Sequence, residues 1–224
     1  MSSWPQSASA IADDPIGPIG ADRELALIHM PARLREAFRA LFAIDSAMGD
    51  VVARSTEPAL ARIKLAWWRE QLEALGMEPP PAEPRLRAVA EQLVPSGVNL
   101  AEVAQLEPGW ATLLDPEIDQ ELVASRGAVL FEIGGRLLGS RDPKLKEAGA
   151  LHALAAVARR NVPELFGPAG KHLEALRGHR FDKRVRPLTM LARAAARDLD
   201  RDEPEGGKAR VLAMLAHRWS GRIG

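Results

Sequence analysis

From Asp22 onward, apolar residues recur at intervals of three and four, the spacing that gathers side chains on one face of an α-helix. A short helix is predicted from Asp22, as cap, through Ile28. Pro31 suits the first turn of the next helix, which runs from Ala32 to about Ala53 with Leu34, Phe38, Leu41, Phe42 and Met48 on one face. Ser55 or Thr56 caps a third, with Pro58 in its first turn, carrying Leu60, Ile63, Trp67, Trp68 and Leu75 and ending at Gly76. Pro79-Pro80-Pro81 reads as a rigid linker. Weaker helices follow at 84–94 and 100–105. Asp115-Pro116 opens a long helix to about Gly139, with Leu122, Val129, Leu130, Ile133 and Leu137 on its face. Asp142-Pro143 opens another to about Arg160, and helices resume at 168–177, 185–199 and 207–218. No alternating strand segment of useful length and no solenoid repeat is found. The pattern predicts an all-α protein, a single bundle of about eight helices with short connections. Residues 1–20, rich in Ser, Pro, Gly and Asp, read as a flexible N-terminal arm, with the helical domain at 21–224.

Composition narrows the chemistry. The chain has 224 residues, 46% hydrophobic and 27% charged, ordinary values for a globular domain. It has no cysteine, which removes disulfides, thiolate nucleophiles and sulfur-built zinc sites. Thirty basic residues balance thirty acidic ones, so no nucleic-acid partner is expected from bulk charge. No apolar run is long enough for a transmembrane helix, and the first residues lack the pattern of a secretory signal; a cytoplasmic protein is expected.

The scan for catalytic groups gives little. The five histidines are scattered, without a metal-binding pair. Gly134-Gly135 reads as a close helix contact rather than a nucleotide fingerprint. Of Trp67 and Trp68, adjacent on a helix, one is expected in the core and one at its margin. Asp198, Asp200 and Asp202 read as a solvated helix end, because a spacing of two splays carboxylates apart by about 200°. Asp45 and Asp50 are five apart, off the spacing that would let them share a metal.

Several blocks together carry a resemblance. Asp22-Arg23-Glu24-Leu25-Ala26-Leu27, Met30-Pro31-Ala32 and Arg39-Ala40-Leu41-Phe42-Ala43-Ile44-Asp45 resemble the start of squalene/phytoene synthase-like proteins. Arg62 to Leu72, with Leu-Ala-Trp-Trp-Arg-Glu at its centre, looks like the bacterial and mitochondrial side branch of that family. Gly149 to Arg160 is similar to its second motif region. The resemblance implies an isoprenoid-synthase-like bundle, here shortened at its C-terminus. Active members join two prenyl diphosphates. Their leaving group needs its charge neutralised by magnesium, clamped between two aspartate-rich motifs and helped by arginine.

The acidic positions of the first motif fall on Gly49, Asp50 and Ala53, and those of the second on Arg160 and Glu164. By this resemblance Asp50 and Glu164 are the candidate magnesium ligands and Arg159 the candidate phosphate contact; no catalytic residue is assigned. Three functions stay open. One is a non-catalytic, strongly diverged family member with a binding or assembly role, since the side branch includes a protein that helps assemble respiratory complex I. Another is a magnesium-dependent prenyltransferase in terpenoid biosynthesis. The third is a helical protein-interaction module without a lipid ligand. Implied partners are a prenyl diphosphate or other lipid, a protein, or a membrane surface touched peripherally.

Overall fold

In the computed structural model, residues 16–160 and 162–223 are described. Among them every element is helical: α1 (Ala21–Ile28), α2 (Arg35–Arg54), α3 (Pro58–Ala74), α4 (Pro84–Gln92), α5 (Leu100–Ala104), α6 (Glu107–Ala111), α7 (Gln120–Leu137), α8 (Leu145–Ala158), α9 (Phe166–Ala175), α10 (Arg186–Asp198) and α11 (Lys208–Ser220). Three single turns of 3-10 helix precede α2, follow α6 and precede α9. The chain is all-α, as the periodicity predicts. Among the described residues it has eleven α-helices, more than the eight or so expected; α6, which holds Pro108 and Gly109, falls where no helix is predicted. No described helix is long and apolar enough to cross a membrane.

The long helices form the centre. α8 is apolar almost all round, and its alanines and glycine let neighbours approach on every side. It packs against α7, α9 and α10. At its crossing with α7, Gly127 faces Gly149 so closely that a Cβ on either would lie 2.0 Å from the other's carbonyl oxygen. The expected contact at Gly134-Gly135 is present: Leu188 and Phe38 crowd Gly134, and Leu145 crowds Gly135. α2 buries Phe38, Leu41, Phe42 and Met48 against α1, α3, α4 and α6.

Several local expectations shift by a few residues. α7 starts at Gln120, not at Pro116. Asp119 Oδ1 accepts the amides of Glu121 and Leu122 at 2.8 and 3.3 Å, whereas Asp115 pairs with Arg62 of α3. The core face of α7 runs through Val123, Leu130 and Ile133, leaving Leu122 exposed. α3 buries Ala61, Leu65, Trp68 and Leu72, so Leu60 and Ile63 fall outside the core. Trp68 lies in the core and Trp67 at its margin. Of the expected arm at 1–20, residues 1–15 lie outside the described residues. Residues 16–20 pack: Ile19 is buried, and the Ile16 carbonyl accepts Arg85 Nε at 2.9 Å.

Candidate functional site

A cavity of about 380 Å³ opens among α1, α2, α6, α7, α8, α10 and α11. Its centre is Asp45, fully buried halfway along α2. A buried carboxylate without partners would be costly. Asp45 accepts from Arg23 of α1 on Oδ2, and from both Trp110 Nε1 of α6 at 2.9 Å and Arg126 Nη1 of α7 at 2.8 Å on Oδ1.

 Three donors in all, from three other helices, therefore meet this one carboxylate. Burial alone would push its pKa up. The Arg126 and Arg23 guanidiniums overcome this and hold the carboxyl well below the usual range.

The residues around Asp45 are fixed by packing. The Arg126 guanidinium lies over the Trp110 indole, 3.8 Å from the ring centroid, a desolvated cation–π contact. Gly109 makes this approach workable, since a Cβ there would lie 2.5 Å from Arg126 Cβ and 2.6 Å from the Leu122 carbonyl. Gly49 does the same at the six-membered end of the indole, where a Cβ would meet Trp110 Cη2 at 2.8 Å. Arg23 Nη1 also donates to the Phe42 carbonyl at 3.1 Å and to Ser46 Oγ at 2.9 Å. Arg126 Nε is buried, with no partner among the described residues. His152 of α8 lines the same cavity; burial, with Arg23 and Arg126 nearby, lowers its pKa to about 3, so the imidazole is neutral at pH 7.

A second cluster forms the opposite wall. Arg210 of α11 donates through Nε to Asp22 Oδ2 at 2.6 Å, through Nη1 to Asp198 Oδ1, and through Nη2 to Asp198 Oδ2 at 3.1 Å. Burial would lower the Arg210 pKa, but Asp198 and Asp22 raise it. Arg159, after the end of α8, approaches Asp198 Oδ1 at 3.4 Å and donates to the Glu203 carbonyl at 2.8 Å. Asp198 is thus a buried partner of arginine, not the solvated helix end that its spacing suggests; Asp200 is exposed.

The three site residues expected from the sequence fall in different settings. Asp50 and Arg159 both line the cavity. Asp50 pairs with Arg54 one turn along α2, at 3.3 Å, half exposed. Glu164 sits on an exposed turn before α9 and is not among the lining residues. Among the described residues no three His, Cys, Asp or Glu side chains come together as a metal-holding group. Sequence reasoning missed Arg23, Trp110, Arg126, His152 and Arg210. One signal was readable: Arg126 sits three residues from Val123 and four from Leu130, on the apolar face of α7.

Compared with protein-family models, curated proteins and solved structures, the chain matches none.

Proposed function

We propose that the chain is a non-catalytic, strongly diverged relative of the squalene/phytoene synthase-like proteins, and that its central cavity binds a compact anionic group, such as a diphosphate, through arginine without magnesium. The observation that carries this is the state of the buried carboxylates. Asp45 is held by Arg23 and Arg126, and Asp22 and Asp198 by Arg210, so none offers free oxygens to a metal. The positions matched to the acidic motifs support the same reading. Gly49 lies against the six-membered end of the Trp110 ring, where a longer side chain has no room. Arg160, matched to an acidic position of the second motif, lines the cavity with a positive charge. The residues present therefore do not fit a two-sided magnesium clamp. Arg126, 4% exposed and with a spare donor, supplies the opposite chemistry: a guanidinium ready for phosphate or carboxylate oxygens.

The test is calorimetry with inorganic pyrophosphate and with farnesyl diphosphate, each with and without magnesium. The expected outcome is binding of both that persists without the metal, weakens at least tenfold in Arg126→Met, and is accompanied by no release of pyrophosphate from farnesyl diphosphate. Magnesium-dependent release would replace this reading with the prenyltransferase. Absence of binding under all four conditions would leave the helical interaction module.

A further inference from the structure

α11 carries an apolar stripe that the bundle leaves uncovered. Leu212 is 66% exposed and Trp219 81%. Ala216 between them is exposed and Leu215 half-buried. Positions 212, 216 and 219 are four and three apart, so they line one side of the helix. The other side is buried through Arg210, Ala213, Met214 and His217. The stripe is held rigidly at its far end: Arg186 Nη1 donates to the Trp219 carbonyl at 2.7 Å, and the Phe181 amide to the Gly221 carbonyl at 2.9 Å.

Within the segment that carries this stripe the charge is of one sign, although exposed Asp202 and Glu205 precede it. From Gly206 to Gly224 the sequence contains no aspartate or glutamate. Lys208 at the start of α11 and Arg222 just beyond its end are exposed, and neither enters an ion pair among the described residues. Exposed Arg180 donates to the Ser220 carbonyl at 3.1 Å, which places a further cation at the Trp219 end. Asp182 is the single acid in the neighbouring loop 177–186, which holds five basic residues from Arg177 to Arg186 besides His179.

We infer that this face of α11 docks the protein on an anionic lipid surface. Trp219 and Leu212 sit at the level of the headgroups and first methylenes, while Lys208, Arg180 and Arg222 meet lipid phosphates. A second copy of the chain fits the face less well. Antiparallel pairing of two α11 helices would set Lys208 against Arg222, like charge against like. A helix about 20 Å long, with so narrow a stripe, also offers less than the roughly 800 Å² per partner of a stable interface. The inference does not depend on what the central cavity binds.

Flotation of the full chain with vesicles of phosphatidylglycerol and phosphatidylcholine, and with vesicles of phosphatidylcholine alone, tests it. Binding to the mixed vesicles is expected at low salt, at least tenfold weaker on phosphatidylcholine alone and weakened as salt rises. Trp219→Ala should lower it about tenfold, and so should the pair Lys208→Glu with Arg222→Glu, with the far-ultraviolet circular dichroism of both variants unchanged. Three results would overturn the inference: no binding to the mixed vesicles, binding that Trp219→Ala leaves intact, or a concentration-dependent dimer that Trp219→Ala abolishes, which would assign the face to a second copy.

Discussion

The two charge clusters that wall the cavity are built in opposite senses. Around Asp45, two arginines share one carboxylate; around Arg210, two carboxylates share one arginine. The Asp45 carboxylate is fully buried, with an indole as its third donor and the same indole stacked on a guanidinium. The Arg210 cluster has a reserve in Arg159, which reaches Asp198 from outside. The difference teaches where ligand chemistry can arise. A surplus cation in an enclosed place keeps donors that no protein group satisfies, whereas a surplus anion that a second arginine can reach is already satisfied. On the proposed reading the first is the binding element, whereas the second ties α1, α10 and α11 together.

Removing the centre of each cluster gives the largest expected effects. Asp45→Ala leaves Arg23 and Arg126 facing each other without an anion, and should destabilise the fold by about 3–5 kcal/mol, read as a shift of the urea midpoint. Arg210→Ala leaves Asp22 and Asp198 unpaired except for Arg159, and should cost about 2–3 kcal/mol. An equal loss in the two variants would remove the distinction between an enclosed cluster and one with a reserve partner.

The acid side of the stability profile separates the groups by sign. His152 has a folded pKa of about 3 against an ordinary 6.5, so the unfolded chain binds its proton first. Stability therefore falls as pH drops from about 6.5 towards 3. Asp45, whose folded pKa is depressed, contributes stability that is complete above about 4 and is lost below that. His152→Gln should flatten the upper part of this decline, by about 3 kcal/mol at pH 4, while leaving the Asp45 contribution below 4 in place. A decline above pH 4 that is unchanged in this variant would clear His152 and point to His217, lowered to about 4 by burial.

Gly49 tests the wall between the first cluster and α2. Gly49→Ala forces the Trp110 ring away by several tenths of an ångström, and overpacking of that kind should cost about 1–2 kcal/mol. Because Trp110 Nε1 is bonded to Asp45, the variant should also weaken pyrophosphate binding, whereas a purely structural role for the indole would leave the affinity unchanged.

How much of this was legible beforehand depends on the range of the contacts. The helices could be read from α2, α7 and α8, because their periodicity and prolines act within a few residues. The start of α7 differs because Asp115-Pro116 and Asp119 both have the form of a cap; Asp115 pairs instead with the distant Arg62, and the Asp119 amide donates to Thr112 Oγ1 at 2.8 Å. Asp45 was judged by its spacing to Asp50, which concerns one helix. Its partners lie 22, 65 and 81 residues away, and no local pattern encodes such pairing. Of the residues that the motifs single out, Asp50 and Arg159 line the cavity and Glu164 does not. The motifs did not find the chemistry inside, because Trp110 and Arg126 come from segments outside them.

Asp50 gives the smallest effect on stability and the sharpest division between functions. Its carboxylate pairs with Arg54 four residues on, half exposed, and such pairs contribute about 0.3–0.5 kcal/mol. Asp50→Ala should therefore move the urea midpoint by less than the other variants do, close to experimental error. Its effect on ligands has opposite signs in the two competing chemistries. If magnesium bridges Asp50 to a diphosphate, the substitution removes a ligand of the metal, and binding falls in magnesium and is unaffected without it. If arginines hold the anion directly, removing a negative charge from the cavity wall strengthens pyrophosphate binding, by up to a fewfold at low salt, with or without magnesium. The sign of that change, measured in a variant whose fold is undisturbed, separates a metal-dependent site from an arginine-built one.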